Sequence, residues 1–230
     1  MWWRKSGCGM NRKSCGIAAA LILAVACAWG EEAVPSNSLD IVVERKVESG
    51  WHSVDPHYVF ASGDRIRFVF RSGVPGYLYV LNRAPSGASG WIFPAGNTQA
   101  DNQVAPGQTY AIPADGAFVI SGPPGFETTV WILSPKSLPA ATAKALSAEG
   151  RTTAGGEGNL IPRCRDTFLI PRGPCTDDRA GATPFRISSK SDSLVARELN
   201  FANDGDSTRI TPRDDSSLNP IVYEFRIAHR

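Results

Sequence analysis

Between residues 60 and 134 short runs of β-forming residues alternate with breaks built on glycine and proline, and this rhythm leaves few folds open. Arg65 to Arg71 is the clearest run. Ile66, Phe68 and Phe70 share one face, and Arg65, Arg67 and Arg71 share the other. Strand side chains point to opposite faces at period two, so this pattern predicts a half-buried strand. Gly63-Asp64 before it is a turn signal. Ser72 to Gly76 ends the run, and Tyr77 to Leu81 follows, apolar on both faces and suited to the inside of a sheet. An antiparallel hairpin is the expected join between these two strands, because the link is short.

The rhythm continues. Trp91-Ile92-Phe93 ends at Pro94, and Tyr110-Ala111-Ile112 ends at Pro113. Asp115-Gly116 turns the chain before Ala117 to Ile120. Ser121 to Gly125 is another break before Thr128 to Leu133. Leu39 to Val47 is expected as the first strand and Trp51 to His57 as a loop. Residues 140–148 hold good helix formers, with Ser137 as a cap, and residues 150–158 have linker composition. Pro184 to Ser188 and Leu194 to Phe201 read as short strands. Ile221, Tyr223, Phe225 and Ile227 alternate with Val222, Glu224, Arg226 and Ala228, a strong strand signal.

The expected class is therefore mainly β: an antiparallel β-sandwich or open barrel, Ig-like in general architecture, with a short helix and an irregular C-terminal region. The expected divisions are a signal peptide over 1–30, a β-sandwich domain over 39–134, a helix, linker and disulfide loop over 135–183, and C-terminal strands over 184–230. Fewer than about 50 residues make a marginal core alone, so the last strands are expected to return to the central domain.

GDRIRFVF, GYLYVLN, WIFPAGNTQADNQVAPGQTYAIP and FVISGPPGFE, in that order, resemble the bacterial domain of unknown function 4384. Gly63, Asp64, Gly76, Tyr77, Phe93, Pro94, Gly107, Pro113, Gly122, Pro123, Gly125 and Glu127 stand at that family's positions. Ala95 departs from its usual asparagine, which implies a local difference in the turn after Pro94. The resemblance runs over about residues 39–134. It implies a secreted β-domain with no assigned chemistry, used elsewhere as an accessory beside kinase-like or caspase-like domains.

Arg4, Lys5, Arg12 and Lys13 precede the wholly apolar run Ile17 to Ala26, and no acid occurs before Glu31. A basic segment followed by about ten apolar residues is a signal-peptide pattern; a bilayer span needs about 20. Met10 opens a more typical leader than Met1. Cleavage after Ala28 or Gly30 would free a periplasmic protein, whereas Leu23-Ala24-Val25-Ala26-Cys27 reads as a lipobox with Cys27 lipidated. Losing the leader's four basic residues from the total of 24 leaves 20 Lys and Arg against 22 Asp and Glu. That balance argues against a nucleic-acid partner, which calls for a basic excess. Beyond the leader the only cysteines are Cys164 and Cys175. In an oxidising compartment such a pair reads as one structural disulfide, contributing about 2–3 kcal/mol in the chain-entropy model.

No HExxH, Walker loop or GxGxxG occurs, and Ser86 to Gly90 fails GxSxG because Trp91 takes the second glycine's place. Asn203-Asp204-Gly205-Asp206 lacks the EF-hand spacing and reads as a turn. His52 and His57 flank Asp55 but need further ligands to hold a metal, so no metal, cofactor or catalytic set is assigned. Glu127 reads as a turn or edge residue whose carboxylate satisfies backbone N–H groups. The polar loop over 95–108 carries a candidate binding set, Asn97, Asp101, Asn102 and Gln103, able to hydrogen-bond a sugar or peptide. Tyr77, Tyr79, Trp91, Phe93 and Trp131 read first as core and second as an aromatic platform.

The functional expectation is an exported envelope protein, periplasmic or, alternatively, an outer-membrane lipoprotein. It acts as a non-catalytic module binding an envelope protein or polysaccharide and meets membrane only through a lipid anchor. The alternatives are a hydrolase of envelope polymers using Asp101 or Glu127 in a cleft, and a structural lipoprotein tethered at Cys27.

Overall fold

Alternating side chains dictate two sheets that share one apolar interior, and a computed structural model of the chain has that arrangement. It describes residues 37–94, 102–139, 142, 160–164, 174–185, 198–213 and 219–230. The leader with Cys27, the loop positions Asn97 and Asp101, the linker and nearly all of the expected helix lie outside the described residues.

Among the described residues fourteen strands form two sheets. The first contains β1 (Leu39–Val47), β2 (Gly50–Val54), β4 (Arg65–Ser72), β8 (Thr109–Ile112), β9 (Phe118–Val119), β12 (Leu199–Asp204) and β13 (Ser207–Pro212). Its order is β12-β13-β1-β4-β8, with β2 also on β1 and β9 also on β4. The second contains β3 (Val59–Phe60), β5 (Gly76–Arg83), β6 (Ser89–Phe93), β7 (Gln103–Val104), β10 (Gly125–Ser134), β11 (Gly181–Pro184) and β14 (Ile221–His229). Its order is β11-β14-β10-β5-β6, with β3 also on β14 and β7 also on β5. All pairings are antiparallel except that of β3 with β14. The result is a sandwich-like fold and not a closed barrel.

The period-two pattern of β4 has the predicted consequence. Ile66, Phe68 and Phe70 are buried between the sheets beside Leu39, Ile41 and Val43 of β1. Trp131 of β10 stands at the centre, edge-on to Phe68 and Phe70 and stacked on Tyr223. Its indole N–H donates to Thr129 Oγ1 at 2.9 Å, and that hydroxyl donates to the Phe225 carbonyl. A buried polar group paired in this way avoids the cost of an unmet donor.

The second sheet is apolar on its outer side as well. Leu81, Val130, Ile132 and Val222 are buried there beneath Tyr79, Trp91, Leu138 and Phe185. The Tyr79 hydroxyl accepts a hydrogen bond from the Leu138 N–H at 2.9 Å, fixing the chain after β10 onto this face. This is why β5 reads as apolar on both faces.

Four expectations are corrected. β4 and β5 do not form a hairpin: the edges of β4 are taken by β1 and by β8 and β9, and β5 lies between β10 and β6 in the other sheet. The link crosses between sheets, anchored by the Gly73 N–H on the Ser38 carbonyl and by reciprocal bonds between Ser72 and Val74. Gly76 enters β5 so close to β10 that a Cβ would lie 2.7 Å from the Ser134 oxygen. Trp51 to Val54 is strand, not loop, because Gly50 takes a positive φ and folds β2 back on β1. The strand expected at Pro184 to Ser188 is β11, which starts earlier, at Gly181, and leaves out Phe185, and the one expected from Leu194 is β12, which leaves out Glu198; residues 186–197 lie outside the described residues. Glu127 sits inside β10, opposite Ile227 of β14 and one residue before the β5 pairing begins at Thr128, because the Ser121–Gly125 break ends before it.

β14 pairs with β10 from Gly125 opposite His229 to Leu133 opposite Ile221, and β13 pairs with the first half of β1. These late strands complete both sheets.

Candidate functional site

The outer face of the first sheet follows from the same alternation that fills the core. β4 turns Arg65, Arg67 and Arg71 outward, and β1 turns Asp40, Val42, Glu44 and Lys46 outward beside them. Registers then set the charges against one another. Glu44 lies opposite Arg67, and the two form an ion pair. Asp40 lies opposite Arg209 of β13, whose guanidinium forks onto both carboxylate oxygens at 2.8 and 3.1 Å. Two-pronged pairs of this kind are the stronger class of surface ion pair.

One row of this face is not compensated. Lys46 pairs in register with Trp51 of β2, and Arg65 pairs with Val119 of β9. Continuing the β1/β4 register one residue beyond Arg45 and Ile66 places Lys46 opposite Arg65. The row therefore reads Trp51, Lys46, Arg65, Val119 across four strands. Both cations are exposed, and neither joins an ion pair with a described residue. Val119 is 55% exposed. Trp51 is held from its own sheet: the Arg67 guanidinium lies 4.4 Å from its ring centroid and the Lys46 ammonium 5.5 Å. Such contacts stabilise by about 0.5–1 kcal/mol at exposed sites and fix the indole's position.

A second polar group lies on the interior face, near the end of the sandwich where β3 turns into β4. Asn82 Nδ2 donates to Glu127 Oε2 at 2.8 Å, and burial pushes the Glu127 carboxyl above its ordinary range, with the Asn82 bond opposing that shift. His229, 1% exposed, ends β14 with neither ring nitrogen hydrogen-bonded, and burial lowers its pKa. Arg45 of β1 reaches Asp64 at this same end, and the Asp64 carboxylate also accepts the Ala61 N–H.

The expected site residues are placed as follows. Cys164 and Cys175 are bonded, with Cα atoms 4.8 Å apart. The Cys175 carbonyl accepts the Val59 N–H, tying this loop to β3. Beside it Asp177 accepts from the Arg163 and Arg179 N–H groups and from the Arg179 guanidinium, which holds its pKa down at about 2. Of the binding loop, Asn102 is buried and its carbonyl accepts the Leu78 N–H, so it serves the sheet. Gln103 is exposed on β7. His52 bonds Ser49 and His57 bonds Asp55, and the two histidines are not brought together. Trp131 is core, while Tyr79 and Trp91 pack edge-on over the outer side of the second sheet. Of the expected turn Asn203 to Asp206, Asn203 and Asp204 end β12 in register with β13, and Gly205, at positive φ, and Asp206 make the turn itself.

Sequence reasoning missed Trp51 and Val119 as surface residues. Gly50 followed by alternating Trp51 and Ser53 was the available signal for β2. Nothing local sets Lys46 against Arg65, because that pairing joins two separate strands.

The fold defines a two-sheet β-sandwich module with one covered outer face and one polar outer face. Residues 59–137 match the family described as "Domain of unknown function (DUF4384)", and this stretch of the chain resembles that family. The match spans β3 to β10 and covers well under half of the chain. β1, β13 and β14, which complete the sheets around it, lie outside the match. No curated protein and no solved structure matches the chain.

Proposed function

We propose that this chain is an exported protein of the bacterial envelope that acts as a non-catalytic binding module through the outer face of its first sheet. The observation that carries the reading is the row Trp51, Lys46, Arg65, Val119. Like charges directly opposite across strands are destabilising, by a fraction of a kcal/mol to about 1 kcal/mol. A face that pairs Arg67 and Arg209 with carboxylates retains this like-charged pair, between the half-buried Trp51 and the exposed Val119. Aromatic and arginine side chains on a rigid flat surface are the residues that concentrate binding energy in interfaces. The basic leader followed by an apolar run supports export, and the bonded cysteine pair suits an oxidising compartment.

Crosslinking in the native envelope tests this reading, with the wild type compared with a Lys46→Glu/Arg65→Glu double variant. A stoichiometric partner that the double variant loses supports it, and identical partners for both chains overturn it. Intact mass of the purified protein separates a periplasmic form from one lipidated at Cys27.

The hydrolase reading draws on one observation, the raised pKa of Glu127, a property of general acids. Turnover of envelope polymers that Glu127→Gln abolishes would replace the binding reading with that one.

A further inference from the structure

We propose that the row Trp51, Lys46, Arg65, Val119 receives an extended acidic peptide segment of a partner protein, with one carboxylate flanked by apolar side chains at i−2 and i+2. This rests on the binding-module reading above and names the chemistry of its ligand.

The order of the row is apolar, cation, cation, apolar. A carboxylate seated between Lys46 and Arg65 meets an ammonium and a guanidinium fork together and relieves their mutual repulsion. Four strands spaced about 4.8 Å apart put Trp51 and Val119 roughly 14–15 Å from each other. An extended peptide rises about 3.3 Å per residue and turns alternate side chains to one face, so residues i−2, i and i+2 span about 13 Å. A segment of the form apolar-x-acid-x-apolar thus matches the row in length, in charge and in the placing of its apolar ends.

The neighbouring rows narrow the class of partner. Glu44 and Asp40 lie beside Arg67 and Arg209 and would repel a continuous polyanion. A discrete acid with neutral neighbours avoids them. A uronic-acid glycan supplies the carboxylate but offers Val119 little apolar surface. An uncharged glycan leaves both cations unanswered.

The test uses the full chain, ¹⁵N-labelled, titrated with acetyl-Leu-Ser-Glu-Ser-Leu-amide. The same titration is run with the Gln analogue and with a tetragalacturonate. The expected result is saturable shifts of the Trp51 indole and of amides in β1, β4 and β9. The Gln peptide and the Lys46→Glu/Arg65→Glu variant are each expected to bind about fivefold more weakly, the upper range for an exposed charge pair. Trp51→Ala is expected to weaken binding while the protein still folds cooperatively, with a Tm lowered by no more than the loss of its contacts with Arg67 and Lys46 accounts for. Equal affinity for the Glu and Gln peptides overturns the inference, as do shifts confined to another face. Tetragalacturonate saturating this row in preference to the peptide overturns the peptide assignment and leaves the binding-module reading standing. No binding by any probe, together with envelope crosslinks that the double variant does not alter, overturns both.

Discussion

Asn82 donates its side-chain N–H to the Glu127 carboxylate at 2.8 Å, joining the two central strands β5 and β10 on the face that looks into the sandwich. Burial raises the Glu127 pKa above 4.5. A carboxyl whose folded pKa is raised contributes stability that is present below its unfolded pKa and lost as pH rises through the folded value. Glu127→Gln keeps an oxygen for Asn82 and removes the buried charge. It is expected to stabilise the protein at pH 7 by less than about 1 kcal/mol, because the carboxylate is only half-buried and solvent screens it, read as a small rise in Tm. Melting curves of both proteins between pH 4 and 8 check this, and the gap should close at the acid end.

His229 titrates in the opposite sense. Its ring is buried without hydrogen bonds and its pKa is lowered from 6.5, so protonation favours the unfolded chain. Its share of stability is present above about 6.5 and lost as pH falls through the folded value. His229→Leu is expected to flatten the stability curve below pH 6.5. Urea melts at pH 7.5 and pH 5.5 test it, and an unchanged acid limb would contradict the assignment.

Asp177 is held at about 2 first by its hydrogen bonds from Arg179, against a desolvation penalty. Stability from this pair is present above 3.8 and is lost as pH falls toward 2. Asp177→Ala leaves two N–H donors and the Arg179 guanidinium without their acceptor. It is expected to cost about 2–3 kcal/mol at pH 7, read from chemical denaturation.

Reducing the disulfide, or replacing Cys164 and Cys175 by serine, releases a loop whose carbonyl at Cys175 holds β3. The expected loss is about 2–3 kcal/mol. Hydrogen exchange is expected to quicken at Val59, whose N–H makes that bond, before it quickens in β10.

Gly76→Ala sets a methyl group 2.7 Å from a backbone oxygen of β10, and a backbone atom cannot swing aside as a side chain does. The expected cost is about 1–3 kcal/mol, measured by thermal melting. Trp131→Ala empties the centre of the core and is expected to cost about 3–5 kcal/mol.

The sequence alone determined which residues line the interior of β4 and β14, because a strand's alternation is written in consecutive residues. It likewise marked most breaks, since glycine and proline restrict the backbone locally, and it paired the cysteines through their scarcity. It could not say which strands are neighbours. The Ser72–Gly76 link has the length of a hairpin but crosses between sheets, because the hydrogen-bonding edges of β4 are satisfied by strands from elsewhere in the chain. Glu127 follows a Pro/Gly break and reads as a turn residue; only its pairing with β14 and the hydrogen bond from Asn82 of β5 set it, half-buried, within β10. Lys46 and Arg65 stand 19 residues apart in the chain, and each is an ordinary surface cation on its own strand. Their juxtaposition between Trp51 and Val119 is decided by strand register, which packing of the opposite faces imposes.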